Sequence, residues 1–283
     1  MKNKENNKIV FLGTGSSDGI PRVSCLTKTN DICETCVSSI KPNSLNRRRN
    51  TSLLIQNTFH NEIHNTVIDI GKTFWEGAIQ LFPKHNVRKL DGVIITHSHA
   101  DAVGGLDHLR DWTNWIQDQV KIFIRKEDLE RVKKMFFYIF DNNPPSRYAI
   151  PQLNFELIDK NSLFSINSIS YKPIPVFHGN NYISFGYKFL NIAYIPDISG
   201  IPKESEKLFE DLDILIIDAL RPQGSHRSHF TLEQSLKVVR KYKPKKTFLT
   251  DITCNIEHHR INEYLQNFNL DVELAYDGLS IEV

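Results

Sequence analysis

The chain has 283 residues, with 35 Lys and Arg against 33 Asp and Glu and a formal net charge of +2. That balance neither demands nucleic acid as a partner nor excludes a phosphorylated substrate. A hydrophobic share of 40% is ordinary for a soluble globular protein and supplies a real core, and no apolar run approaches the ~20 residues a membrane helix needs.

Residues 1–7 read as a short mobile tail. The start MKNKENNKIVFLG is polar and then strand-like, unlike a secretory signal, so the expected compartment is the cytoplasm. Residues 8–13 (KIVFLG) form a strand that runs into GTGSSDGIP, where the glycines suit a tight turn better than a phosphate loop, since no helical pattern follows. Residues 23–40 hold three of the four cysteines. Cys33-x-x-Cys36 has zinc-knuckle spacing and Cys25 lies upstream, which leaves three thiolates one short of a closed tetrahedral site; Cys254 is the candidate fourth. Four separate thiols are the alternative. NRRRN at residues 46–50 is either a phosphate-receiving cluster or a solvated loop.

Strands follow at 51–56 and 64–70, the second ending Asp69-Ile70-Gly71, and then a helix at 72–82. The apolar run 90–95 is a buried strand. It stops at Thr96, and His97, His99 and Asp101 follow at alternate positions, which in an extended segment point to one side. Two imidazoles and a carboxylate at a stiff strand end suit a divalent metal. The bland reading is two polar loop histidines and an N-cap aspartate. Residues 102–112 then turn helical, with Val103, Leu106, Leu109 and Trp112 as the apolar stripe. A strand at 120–124 precedes an amphipathic helix at 126–140, whose Phe136, Phe137, Tyr138 and Phe140 serve the core or a substrate platform. Residues 141–148 are a loop.

Residues 152–187 alternate like antiparallel strands. His178 ends an apolar strand within them, and Asp197 closes the next strand, 191–195. Residues 212–220 are a strand with Asp218 near its end. A donor-rich loop, 221–229, carries His226 and His229 into a helix at 230–242. The strand 246–250 ends Thr250-Asp251-Ile252-Thr253-Cys254, a helix spans 256–266 with His258 and His259 on its surface, and 272–283 is one closing strand. With no repeat, low-complexity segment or linker, the chain reads as a single domain over 1–283, the cysteine-rich loop inserted near its start.

THSHADAVGGLDHLR at 96–110 resembles the signature loop of the metallo-β-lactamase-fold hydrolases, His-x-His-x-Asp-His, with Ala102 where the last histidine belongs. With GLDHLR, it is similar to a subgroup close to the phosphoribosyl cyclic phosphodiesterases. The resemblance spans nearly the whole chain. It implies an α/β fold, a four-layer αββα sandwich of two mixed sheets flanked by helices. It implies a first metal on His97, His99, His178 and Asp197, and a second on Asp101, Asp197 and Asp251. Asp251 stands where the related enzyme has a ligand histidine. The resemblance also implies a structural zinc on Cys25, Cys33, Cys36 and Cys254, the last at the place of a histidine. His229 and Asp101 are the expected catalytic groups, and Asp69, Asp218, His226 and His258 are expected behind the ligands or against the substrate.

The function so implied is a metal-dependent phosphodiesterase that hydrolyses a small cyclic or nucleotide-like phosphate ester with a metal-activated water. One or two divalent ions, Zn or Mn, are expected in the active site, the second weaker because its donors are nearly all oxygen. The expected partner is a small phosphorylated substrate, with no membrane, nucleic acid not favoured, and a homodimer left open. A tRNA 3′-processing endonuclease shares the fold but usually carries a protruding basic arm, which this sequence lacks. A zinc-stabilised scaffold with a decayed site is the alternative from another class, and an oxidoreductase or thioester hydrolase on this fold also remains open.

Overall fold

The computed structural model describes residues 6–141, 143, 144 and 146–283. Residues 1–5 of the expected tail lie outside that set, and so do residues 142 and 145 of the loop expected over 141–148. Asn6 and Asn7 already belong to the first strand.

In chain order, β1 (Asn6–Gly13) leads to two short helices, α1 (Val23–Thr27) and α2 (Glu34–Ser39). The hairpin β2 (Ser52–Phe59) and β3 (Glu62–Ile68) is followed by α3 (Phe74–Leu81) and β4 (Gly92–Ile94). The stretch expected as one helix over 102–112 is broken into α4 (Ala100–Val103), a 3-10 turn (Leu106–His108) and α5 (Leu109–Trp115). The break is at Gly104-Gly105. The Gly105 amide donates to the Ile70 carbonyl at 2.7 Å, and a Cβ on Gly105 would stand 2.6 Å from the Gly71 oxygen, so only glycine allows the approach. β5 (Val120–Arg125) and α6 (Lys126–Met135) come next; α6 stops short of the expected residue 140, and Phe137–Phe140 form a 3-10 turn. Phe136, Tyr138 and Phe140 pack on the core, while Phe137 is exposed. Another 3-10 turn, Arg147–Ala149, interrupts the loop.

The alternating region resolves into β6 (Leu153–Ile158), β7 (Phe164–Ile166), β8 (Ile169–Phe177) and β9 (Ile183–Phe189), then β10 (Ile192–Ile195) and β11 (Ile214–Asp218). A 3-10 segment, Lys203–Phe209, joins the last two. Next are α7 (Leu232–Tyr242), β12 (Lys246–Thr250) and α8 (His258–Leu265). The start of α7 is fixed by a capping box in which Thr231 and Gln234 satisfy each other's backbone amides. The single closing strand expected over 272–283 is instead two, β13 (Val272–Leu274) and β14 (Ser280–Glu282), in different sheets. They are separated by a turn in which Gly278 takes φ +90°. There the Asp277 carboxylate accepts from the Thr14 hydroxyl (2.8 Å) and the Arg49 amide (2.7 Å), which holds the chain out of line.

The strands make two mixed seven-stranded sheets, β14-β1-β2-β3-β4-β5-β6 and β13-β12-β11-β10-β9-β8-β7. Both combine antiparallel hairpins with a run of parallel pairs, β3–β4–β5–β6 in one and β10–β11–β12–β13 in the other. The parallel strands read as unbroken apolar runs because both faces are buried; Leu215, Ile216 and Ile217 of β11 all have no exposed surface. Helices α3, α5 and α6 supply residues to the core of the first sheet, with Val67, Val93, Leu106 and Val132 at its centre. Helices α7 and α8 do the same for the second, with Ile195, Ile217, Leu236 and Leu249.

By its contacts the chain divides into two compact units. The first comprises the chain up to Leu12, Ser52–Ser170 and Gly278–Val283; the second comprises Gly13–Thr51 and Tyr171–Asp277. In the first unit a groove of about 340 Å³, lined by Phe74, Trp75, Trp112 and Ile116, carries none of the candidate ligands. Among the described residues no helix is long and apolar enough to cross a membrane.

Candidate metal centres

In the first unit the buried β4 delivers Thr96 and His97 to its carboxyl end, both with no exposed surface. His99 is the residue before α4 and is exposed, and Asp101 is already in that helix, half-buried. The alternate-side expectation for His97, His99 and Asp101 therefore fails beyond His99, because the chain coils at Ala100. The rings of His97 and His99 meet edge to face with centroids 4.5 Å apart. Asp101 belongs to none of the clusters of metal-binding groups among the described residues.

Asp69 follows β3 in a left-handed conformation, φ 62°, of the kind retained where surrounding structure over-determines it. Its two oxygens accept from the Thr96 amide (2.8 Å) and the Thr96 hydroxyl (2.7 Å). The same hydroxyl oxygen lies 2.9 Å from His97 Nδ1. With Asp69 ionised, the Thr96 O–H points at the carboxylate, its lone pair accepts the Nδ1 proton, and His97 Nε2 is left as the ligating atom. Burial pushes the Asp69 pKa well up against the pull of the Thr96 donors; a cation at the imidazole would favour the ionised form. Asp69 thus stands behind a candidate ligand, but through Thr96, which the sequence reading did not single out.

In the second unit His178 follows β8 and is buried. Its Nδ1 donates to the Ser228 carbonyl at 2.8 Å, which fixes the tautomer and leaves Nε2 with its lone pair, 3.8 Å from Asp197 Oδ1. A cation between the two, with bonds of about 2.0–2.2 Å, fits that spacing. His229 Nδ1 lies 2.9 Å from Asp218 Oδ2, 2.9 Å from Asp251 Oδ2 and 4.0 Å from Asp197 Oδ1. All three carboxylates are buried. Burial alone would lower the His229 pKa, but the charges of Asp218 and Asp251 push it up to about 12. The Asp218 carboxyl is also pushed up by burial. We place the proton on the imidazole, because Asp218 additionally accepts the Ile198 and Phe230 amides, at 3.2 and 3.3 Å, which favours its ionised form. His226 is exposed, its ring 5.2 Å from that of His229.

His258, expected on the surface of its helix, is instead buried at the start of α8. Its Nδ1 lies 3.1 Å from Arg48 Nη2, and Arg48 also donates to the Thr14 hydroxyl and the Ala275 carbonyl, at 2.7 and 2.6 Å. Arg49 pairs with the buried Asp277 at 3.4 Å. Two of the three arginines of NRRRN therefore hold the second unit together, the reverse of both a phosphate cluster and a solvated loop.

The four cysteines converge in the second unit. Their sulfurs all lie within 4.8 Å of one another, with Cys25 and Cys254 at 3.9 Å and no disulfide formed. Thiolates at the ~2.3 Å bonds of a tetrahedral zinc are about 3.8 Å apart. The Arg22 amide donates to Cys36 Sγ at 3.4 Å, the kind of hydrogen bond that steadies a bound thiolate. Burial pushes the Cys36 thiol far up and the Cys254 thiol up to about 11, so this cluster ionises fully only around a cation.

The fold and these donor sets are those of a metal-dependent hydrolase of the metallo-β-lactamase fold. Residues 63–252 match the family described as the β-lactamase superfamily domain, and the chain belongs to that family. It is similar to a solved diphosphatase of the PhnP family, with 28% identity, 98% of this chain and 97% of that one covered, and a TM-score of 0.81. The short form of human tRNase Z has the same fold at 18% identity, with 97% and 98% covered and a TM-score of 0.62. An octanoyltransferase of Porphyromonas gingivalis is 28% identical over 272 residues, 96% of this chain; the chain spans about half the length of that relative, 51%.

Proposed function

We propose that the chain hydrolyses a phosphodiester or diphosphate bond in a small, nucleotide-like or cyclic substrate, using a divalent cation with His178 and Asp197 among its ligands. The observation that carries this reading is the pairing of a ligand-ready imidazole and carboxylate, His178 and Asp197, with a histidine, His229, whose Nδ1 lies 2.9 Å from each of two further carboxylates. The similarity to a diphosphatase over nearly the whole chain supports it.

A bound cation would acidify the attacking water and neutralise charge on the phosphorus oxygens. The protein's own groups supply the rest. Thr96 and the Ser228 carbonyl keep His97 and His178 in the tautomers that present Nε2. Asp218 and Asp251 engage His229 Nδ1, so its Nε2 is the atom that gives a proton to the leaving oxygen or braces a phosphate oxygen. Zn or Mn suits the imidazole–carboxylate set, and Zn suits the four thiolates. Reduced cysteines fit a cytosolic location, and a small phosphorylated substrate needs neither nucleic acid nor a membrane as partner.

The test is a hydrolysis screen with added Mn, Zn or Mg. The substrates are bis-p-nitrophenyl phosphate, cyclic nucleotides and a dinucleoside diphosphate. p-Nitrophenyl octanoate is included because one relative is named for octanoyl transfer. Turnover of a phosphate ester that is lost in His178→Ala is expected. Equal turnover by both proteins, or hydrolysis of the octanoate alone, would reject the assignment.

A further inference from the structure

Residues 221–228 form a loop of the second unit that leads into His229. Gly224 takes φ +89° within it, a left-handed turn that lets the chain double back. Arg221 Nη2 donates to the Ser225 carbonyl, which closes the turn and sets the guanidinium against the peptide bond leading into His226. Arg221 Nε is buried and meets no acceptor among the described residues. A buried donor of a cation, left without a partner, calls for an anionic acceptor from outside the chain. His226 is exposed, and its ring lies 5.2 Å from that of His229. The Ser228 amide donates to His226 Nδ1 at 3.4 Å, so the ring proton sits on Nε2 and that N–H is the group the ring offers. Ser228 thereby orients two imidazoles, His226 through its amide and His178 through its carbonyl. Partial burial, with the charges of His229 and Arg221, lowers the His226 pKa from the ordinary 6.5, in keeping with this neutral form.

An imidazole N–H and a guanidinium thus stand beside His229, the residue that serves the reacting phosphoryl group. A second phosphoryl group suits them, because it carries several charged oxygens that accept from both. The outer substituent of a simple phosphodiester has no such oxygens. We propose that Arg221 and His226 bind the phosphoryl group of the substrate that is not attacked, and so select diphosphate-linked substrates over single phosphodiesters. The proposal rests on the hydrolase reading above, and its test separates the two.

The test compares kcat/KM for a dinucleoside diphosphate with that for bis-p-nitrophenyl phosphate, using the metal-loaded full chain. In His226→Ala the ratio of the two is expected to fall roughly 10-fold, through a higher KM for the diphosphate. His226→Gln, which keeps an N–H donor, is expected to recover part of the loss. Arg221→Lys keeps the charge and a donor for Ser225 but loses the fork, and is expected to lower the same ratio. Arg227→Ala removes an equal charge from an exposed position of the same loop and is expected to leave the ratio alone. A ratio that holds constant in His226→Ala and Arg221→Lys, or that Arg227→Ala lowers as far, would overturn the proposal. Calorimetry with the methylene analogue of the dinucleoside diphosphate reads binding without turnover. If neither ester is hydrolysed but His226→Ala weakens the analogue roughly 10-fold, the hydrolase reading fails and the anion site stands. Equal affinity of the parent and His226→Ala for the analogue would remove the site whatever the turnover.

Discussion

His258 gives the sharpest quantitative test of how the second unit is held together. Burial, with the charges of Arg48 and His259, pushes its pKa from the ordinary 6.5 down to about 4. Between those values the unfolded chain binds a proton that the folded chain does not. Acid therefore favours unfolding, and stability rises with pH through the window from about 4 to 6.5. The whole difference is worth about 3 kcal/mol, of which about 2 kcal/mol falls between pH 7 and pH 5. His258→Gln removes the titration and keeps an oxygen that can accept from Arg48 Nη2. The variant is expected to be less stable than the parent at pH 7, with the deficit shrinking by about 2 kcal/mol at pH 5. Urea unfolding of both proteins at the two pH values reads this directly. A deficit of the same size at both would show that His258 is not held neutral against Arg48, and the buried network would need another account.

Asp69→Asn replaces a carboxylate that accepts twice with an amide that must donate once. The Thr96 hydroxyl then turns its proton toward His97 Nδ1, the other tautomer results, and metal affinity falls roughly 10–100-fold, as metal content after dialysis would show. Thr231→Ala removes the hydroxyl half of the capping box on α7 and is expected to cost about 1 kcal/mol, up to about 2 because the cap is buried; a midpoint shift in urea at constant slope checks it. Cys254→Ala takes one of four thiolates from the cysteine cluster. If each carries a quarter of the ~10–16 kcal/mol typical of a structural zinc, binding weakens by about 3 kcal/mol, and zinc is lost to a chelator that the parent resists.

The strands were readable because β-branched apolar runs such as ILIID at β11 and GVI at β4 have few other uses. The break at Gly104-Gly105 is not legible in the sequence because the apolar spacing of Val103, Leu106 and Leu109 continues through it. What interrupts it is the backbone of Gly71, more than thirty residues away. The sequence predicts one closing strand because Tyr276-Asp277-Gly278 is short. It is split because Asp277 is hydrogen-bonded to Thr14 and Arg49, at the far end of the chain.

By itself the sequence determined the sheet-forming segments, the His-x-His loop and the cysteine spacing, since each is a local pattern of side-chain type along the backbone. Tertiary structure alone decided which partner each polar group received. The Ser228 carbonyl on His178, the Asp218 carboxylate on His229, and Arg48 beside His258 join positions with no periodic relation to one another. A hydrogen bond depends on an approach of about 3 Å in space, and only the folded chain sets that distance.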